Sequence, residues 1–152
     1  MKYFMTGGTG FVSAYIIREL LQKGHEVVVT DLSLNTSFVK DVVEDEALME
    51  KVTFARCDVT DLSMILSLMK EYKPQRVIHQ ATLLGAASDA NPLLAIKVIC
   101  EGTYNVFAAA VALDVGKVVF ASSCNVTGQP QCFPDGEIPN DAFLTSADFY
   151  GV

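Results

Sequence analysis

Residues 6–13 read Thr-Gly-Gly-Thr-Gly-Phe-Val-Ser, with glycines at 7, 8 and 10. Gly7 and Gly8 permit a tight turn, and Gly10 lets backbone approach a phosphate with no Cβ in the way. Such a turn between a strand and a helix aims helix N-terminal N–H groups at a pyrophosphate. Ser13 stands where a third glycine would serve close helix–strand packing; serine is small, so the expected effect is looser packing. Taken alone, a glycine-rich stretch of this kind is also an ordinary strand–helix turn. Asp31 adds the second half of the pattern, 21 residues past Gly10. An aspartate there can hold the adenosine ribose hydroxyls and repels a 2′-phosphate, and no arginine follows it before Arg56. The chemistry expected is dinucleotide binding, with NAD favoured over NADP.

The flanking pattern supplies the elements that must hold this loop. Lys2 to Thr6 is a short apolar run. Phe11 to Lys23 carries apolar residues at helical spacing and ends at Gly24, a helix-stopping position. His25 to Thr30 is a β-branched strand, and residues 31–50 a polar loop with room for a short helix. Lys51 to Arg56 reads as a third strand, followed by a helix over Asp61 to Tyr72 with Thr60 as N-cap. Gln75 to Ala81 is a fourth strand. Asn91-Pro92 opens a helix that runs to about Leu113. Lys117 to Ser122 is a fifth strand, and a polar loop with Pro130, Pro134 and Pro139 leads to Tyr150-Gly151-Val152. Strands that are nearly continuously apolar and alternate with helices predict a doubly wound α/β domain over residues 1–152, its parallel sheet covered on both faces. The 92–113 helix carries only Lys97 and Glu101 between Leu93 and Leu113, so it is expected to need cover beyond the sheet, from a second domain or subunit.

Composition narrows the function classes. The chain has 152 residues, 51% of them hydrophobic and 19% charged, which excludes a disordered tail. The net charge of −7, with no two Lys/Arg adjacent, carries no nucleic-acid footprint. The acidic run Asp41 to Glu46 is expected on a solvated helix face or loop. No uninterrupted apolar stretch is read as membrane-spanning, since Tyr104 to Ala121 is broken by Asp114, Gly116 and Lys117. Nor is a secretory signal read at the N-terminus, and the location expected is cytoplasmic. Cys57, Cys100, Cys124 and Cys132 form no CxxC pair and find no histidine at ligand spacing, so buried free thiols are expected and no metal site.

Five segments then carry a resemblance spread over nearly the whole chain: TGGTGFVS at 6–13, the acidic strand end at Asp31, CDVTD at 57–61, VIHQAT at 77–82 and VVFASSCNVTG at 118–128. Together they resemble the extended short-chain dehydrogenase/reductase family, in its NAD-dependent nucleotide-sugar epimerase/dehydratase branch. Tyr150-Gly151 is similar to the opening of that family's YxxxK signature. The resemblance implies a Rossmann fold in which Gly7, Gly8, Thr9, Gly10, Phe11 and Val12 wrap the pyrophosphate and Asp31 takes the ribose. It implies that Asp58 and Val59 flank the adenine, with helix-terminus solvation as the alternative for Asp58. His79, Gln80 and Ala81 would line the cofactor trough, His79 with no acid/base role. Ser123 and Tyr150 match the catalytic serine and tyrosine. A tyrosine can take a hydroxyl proton only if its pKa falls well below about 10. A nearby lysine and a positive nicotinamide lower it, while the serine aligns the same substrate oxygen. A nucleotide sugar is the implied substrate, and the 92–113 helix the implied homodimer contact.

Four positions depart from the family pattern. The chain reaches Val152 before the lysine due four residues after Tyr150, which leads to the expectation of an N-terminal part of a longer enzyme, inactive alone. Ile99 replaces an asparagine, Thr127 a tyrosine, and Ser13 the third glycine. Dehydratases of the family carry an Asp-Glu pair where Cys124 and Asn125 stand here, and neither can replace a carboxylate acid/base pair. The readings left open are an epimerase, a simple dehydrogenase of a sugar or hydroxy acid, and a non-catalytic NAD-binding module.

Overall fold

The computed structural model describes residues 1–128, 133, 136–146 and 148–151. Five parallel strands, β1 (Lys2–Thr6), β2 (Glu26–Asp31), β3 (Val52–Arg56), β4 (Arg76–His79) and β5 (Val118–Phe120), lie in the order β3-β2-β1-β4-β5. The period-2 geometry of a strand splits their apolar side chains between two cores. Phe4, Val28 and Val77 face one side, where they meet Ile65, Met69, Val106 and Ala109. Their chain neighbours Met5, Val27, Val29 and Ile78 face the other, against Ala14, Ile17, Leu21, Val39 and Val43. The sheet is therefore doubly wound, as its uninterrupted apolar strands require.

On the second face lie α1 (Phe11–Gln22), α2 (Ser37–Val43) and α3 (Glu46–Met49). Gly24 follows the C-cap of α1 at φ +78°, the conformation its position in sequence calls for. The 31–50 segment holds two short helices rather than one. Val39 and Val43 point inward while Asp41, Glu44, Asp45 and Glu46 are exposed, as the acidic pattern predicts. Asp45 caps α3 by accepting the Leu48 N–H at 3.1 Å.

The first face is covered by α4 (Leu62–Tyr72) and by the long 92–112 helix. The N-cap of α4 is Asp61, which accepts from Met64 N at 3.0 Å; Thr60, expected in that role, is instead held by Asp58. A short helix absent from the sequence reading, α5 (Gly85–Ala90), precedes Asn91, which does cap the next turn through Leu94 N. The long helix comprises α6 (Pro92–Ala95), a π-helical turn Ile96–Glu101 and α7 (Gly102–Ala112). A wider turn of this type is common at functional sites. Its 21 residues are long and apolar enough to cross a membrane by length and composition, which corrects the expectation that no stretch qualifies. One side of it is a wall of the core through Val106 and Ala109, which is the packing of a sheet-covering helix. The other side leaves Leu93, Ile96, Tyr104 and Val111 more than half exposed. Cover on both faces holds for β1, β2 and β4; on β5, Val119 and Phe120 are half-exposed.

Of the thiols, Cys57 is buried but Cys100 and Cys124 are exposed, against the expectation of buried thiols. Cys132, Pro130, Pro134 and Val152 lie outside the described residues.

Candidate functional site

The strand order reverses beside β1. The chain runs outward through β2 and β3, then returns to pair β4 with the other edge of β1. The loops after β1 and β4 therefore diverge and open a crevice at the carboxyl ends of the strands, where ligands bind in such sheets. A cavity of about 940 Å³ lies there. The loop after β1 contributes Gly7, Gly10, Phe11, Val12 and Ser13, and the segment after β4 contributes His79, Gln80, Ala81 and Thr82. Ile99 and Thr103 come from the long helix, Phe120 to Ser123 from the end of β5, and Leu144 to Ser146 with Tyr150 and Gly151 from the last segment.

Gly7 is in the left-handed region at φ +63°, and a Cβ on it would fall 2.6 Å from Ala81 N and 2.7 Å from Gln80 C. Only glycine fits that approach of two loops. Gly8 faces the sheet, where a Cβ would meet Val29 Cγ1 at 2.6 Å. Gly10 is the N-cap of α1 and has no side chain to bond the first-turn N–H groups, and no acidic residue occupies that turn. Those donors and the positive helix end face the cavity, a combination that suits a pyrophosphate.

Ser13 does more than tolerate the missing third glycine. Its buried Oγ lies 2.8 Å from Gly7 O and 3.0 Å from Gln80 Oε1, tying the turn to the end of β4. The expected loosening is thus replaced by a polar tie. Asp31 reaches the same turn from β2, its Oδ2 accepting from Thr9 N at 3.1 Å and Thr9 Oγ1 at 2.7 Å. The strand register also sets Arg56 opposite Asp31, nearer than its separation in sequence suggests, and its Nε donates to Leu32 O at 3.3 Å.

Asp58 turns back on its own loop, Oδ1 accepting from Thr60 N at 2.9 Å and Thr60 Oγ1 at 2.8 Å. The Val59 side chain is buried in the core, and its carbonyl accepts from Asn105 Nδ2 at 3.0 Å. A Cβ on Gly102 would lie 2.7 Å from Val59 Cγ2, so the helix and this loop are in close contact. Gly8, Thr9, Asp31, Asp58 and Val59 stand outside the cavity wall proper; Thr9 and Asp31 join it through the glycine turn.

His79 is 1% exposed and joined at both nitrogens, Nδ1 to Thr6 Oγ1 at 2.6 Å and Nε2 to Thr103 Oγ1 at 3.0 Å. Burial holds its pKa down at about 4, so the ring is neutral near pH 7. It stacks on Phe120 at 5.8 Å between centroids. Through these two bonds the ring links the end of β4 to β1 and to the long helix. Sequence reasoning missed Thr103; its spacing of four from Ile99 on one helix was the available signal, since such residues share a face. Leu144 to Ser146 carried no periodicity by which to find them.

Ser123 and Tyr150 both line the cavity although 27 positions apart. Ser123 begins a 3-10 turn over Cys124–Thr127, and its Oγ accepts from Asn125 N at 3.2 Å. Thr127, in place of tyrosine, donates to Cys124 O at 2.8 Å within that turn. Ile99 brings an apolar surface to the wall where the resemblance implies an amide.

Comparison with known proteins agrees with this geometry. The UDP-glucose 4-epimerase of Bacillus subtilis (strain 168) is 32% identical over 152 residues, covering 99% of this chain and 44% of its own. Among solved structures, UDP-glucose-4-epimerase from Stenotrophomonas maltophila, with bound NAD and formylated UDP-arabinopyranose, superposes with a TM-score of 0.82 at 26% identity, over 99% of this chain and 44% of that one. L-threonine dehydrogenase from Clostridium difficile gives a TM-score of 0.78 at 25% identity, over 99% and 44%. The chain thus spans less than half the length of these relatives. The NAD dependent epimerase/dehydratase profile matches residues 3–152, and the chain belongs to that family, with NAD as its cofactor.

Proposed function

We propose that the protein acts as an NAD-dependent epimerase of a nucleotide sugar, with Tyr150 as the base and Ser123 as the group that aligns the reacting hydroxyl. The observation that carries this reading is the convergence of Ser123, Tyr150 and the glycine turn on one cavity. The relatives it resembles include UDP-glucose 4-epimerases, which supports a UDP-sugar as substrate.

The glycine turn and the first-turn N–H groups of α1 bind the pyrophosphate, and Asp31, already braced by Thr9, receives the ribose hydroxyls. Asp58 and Val59 border the adenine end, and Gln80 and Ala81 the middle of the trough. NAD, when bound, supplies a hydride acceptor that later returns the hydride. Tyr150 Oη takes the proton of the sugar hydroxyl as the hydride leaves its carbon, and gives it back on return. Ser123 Oγ accepts the Asn125 N–H, which leaves its own hydrogen free for the same sugar oxygen. The exposed face of the 92–112 helix, with Leu93, Ile96, Tyr104 and Val111, is the surface for a second copy of the chain.

The test uses protein of native length with UDP-glucose or UDP-galactose. Epimer interconversion without net NADH is the expected result, with Tyr150→Phe lowering kcat at least about 100-fold and Ser123→Ala about 10-fold. Ile99 in the cavity wall and the likeness to L-threonine dehydrogenase favour a second reading, net oxidation of a small hydroxy compound. Stoichiometric NADH with no epimer formed would replace the first reading by that one. Sedimentation at the monomer mass would remove the dimer.

A further inference from the structure

We propose that Asn125 and Asp148 form a positioning pair that sets Tyr150 against Ser123. This rests on the reading of Ser123 and Tyr150 as the reacting groups. Between β5 and Gly151 the described residues include no strand and no α-helix, so backbone ladders do not fix Tyr150. Side-chain bonds do that work. Asn125 Nδ2 donates to Asp148 Oδ2 at 2.9 Å, and Gly151 N donates to Asp148 Oδ1 at 2.9 Å. Ser146 Oγ adds a bond to Asp148 O at 2.9 Å. The carboxylate is thus engaged through both oxygens and ties Asn125 to Gly151, the residue that follows Tyr150.

The other end of the pair reaches the serine. Asn125 donates its backbone N–H to Ser123 Oγ at 3.2 Å, so one residue orients the hydroxyl and holds the segment bearing the tyrosine. The two segments also touch through backbone. A Cβ on Gly151 would fall 2.6 Å from Asn125 O and closer still to Ser146 Oγ. One on Gly128, at φ +78°, would fall 2.7 Å from Thr145 O. An amide–carboxylate bond is charge-assisted, which suits it to hold an irregular segment in one geometry. It also spends the Asp148 carboxylate on structure, so Asp148 acts through Tyr150 and is no acid or base itself.

The test compares wild-type protein of native length, Asn125→Ala, Asp148→Ala, the double alanine variant and the exchanged pair Asn125→Asp/Asp148→Asn, each saturated with NAD and assayed with UDP-glucose. Each single alanine variant is expected to lower kcat about tenfold or more, with NAD affinity held within about twofold, and the double variant to lose no more than the worse single. The exchanged pair keeps the donor–acceptor match and is expected to recover to within about threefold of wild type. Hydrogen exchange at the Gly151 amide gives a readout independent of turnover: protection falls in Asp148→Ala and returns in the exchanged pair. Unchanged Gly151 protection in Asp148→Ala overturns the bond, and lost protection with unchanged kcat overturns its role in the reaction. Tyr150→Phe turning over at the wild-type rate overturns the underlying assignment of Tyr150, a failure told apart because the exchange data still judge the brace.

Discussion

His79 makes the stability of this domain depend on mild acid in a way that can be isolated. In the native state its ring is buried against Thr6 and Thr103 with a pKa of about 4, against 6.5 for a free imidazole. Above pH 6.5 the ring is neutral in both native and unfolded chains and adds no pH dependence. As pH falls below 6.5 the unfolded chain binds a proton there that the native chain refuses, so unfolding gains free energy until about pH 4. The loss reaches about 3 kcal/mol at the bottom of that window, and about 2 kcal/mol at pH 5. Carboxylates titrate in part of the same range, so the measurement is a difference. Urea unfolding followed by far-ultraviolet dichroism, at pH 7.5 and 5.0, compares wild type with His79→Gln. The glutamine keeps a donor and an acceptor but cannot titrate. The variant is expected to be less stable at pH 7.5 by about 1–3 kcal/mol, because the ring's packing and one bond are lost. It is also expected to lose about 2 kcal/mol less than wild type between the two pH values. Parallel pH slopes for the two proteins would refute the reasoning. A His79 ring resonance in wild type titrating near 6.5 would refute it independently, even if the variant failed to fold.

Three further outcomes follow from the same geometry. Gly7→Ala forces a Cβ onto the backbone of Gln80 and Ala81 from a left-handed conformation, so calorimetry should register at least a 100-fold loss of NAD affinity and melting a loss of more than about 2 kcal/mol. Asp31→Ala removes the brace on Thr9 and the acceptor proposed for the ribose; NAD affinity should fall about tenfold while NADP, freed from a carboxylate and close to Arg56, binds no worse than before. Alkylation with peptide mapping should label Cys100 and Cys124 quickly and leave Cys57 unmodified until unfolding. Burial first, with the carboxylates of Asp58 and Asp61 next, pushes the Cys57 thiol up to about 11, so it stays protonated as well as inaccessible.

The parts of this molecule that sequence discloses are those governed by local periodicity. Alternating sides along Phe4-Met5 and Val27-Val28-Val29, the glycine turn between β1 and α1, and the stop at Gly24 all follow from backbone geometry acting over a few residues. What sequence discloses less well depends on residues meeting across the sheet. Ser13 reads as a weak substitute for glycine until the end of β4 brings Gln80 within reach of it. Arg56 is distant from Asp31 in sequence, and only the strand register sets them side by side. Thr60 and Asp61 are both good caps by type, and Asp61 wins because Asp58 has already claimed Thr60. The same holds for the reaction chemistry. Resemblance singles out Ser123, but the bonds that orient it run through Asn125 and Asp148, two polar residues in irregular chain with no period to mark them. Where regular structure ends, pairwise side-chain bonds take over the positioning of Tyr150. Substitutions at 125 and 148 should therefore alter turnover more than cofactor affinity, the opposite of the balance expected at Gly7.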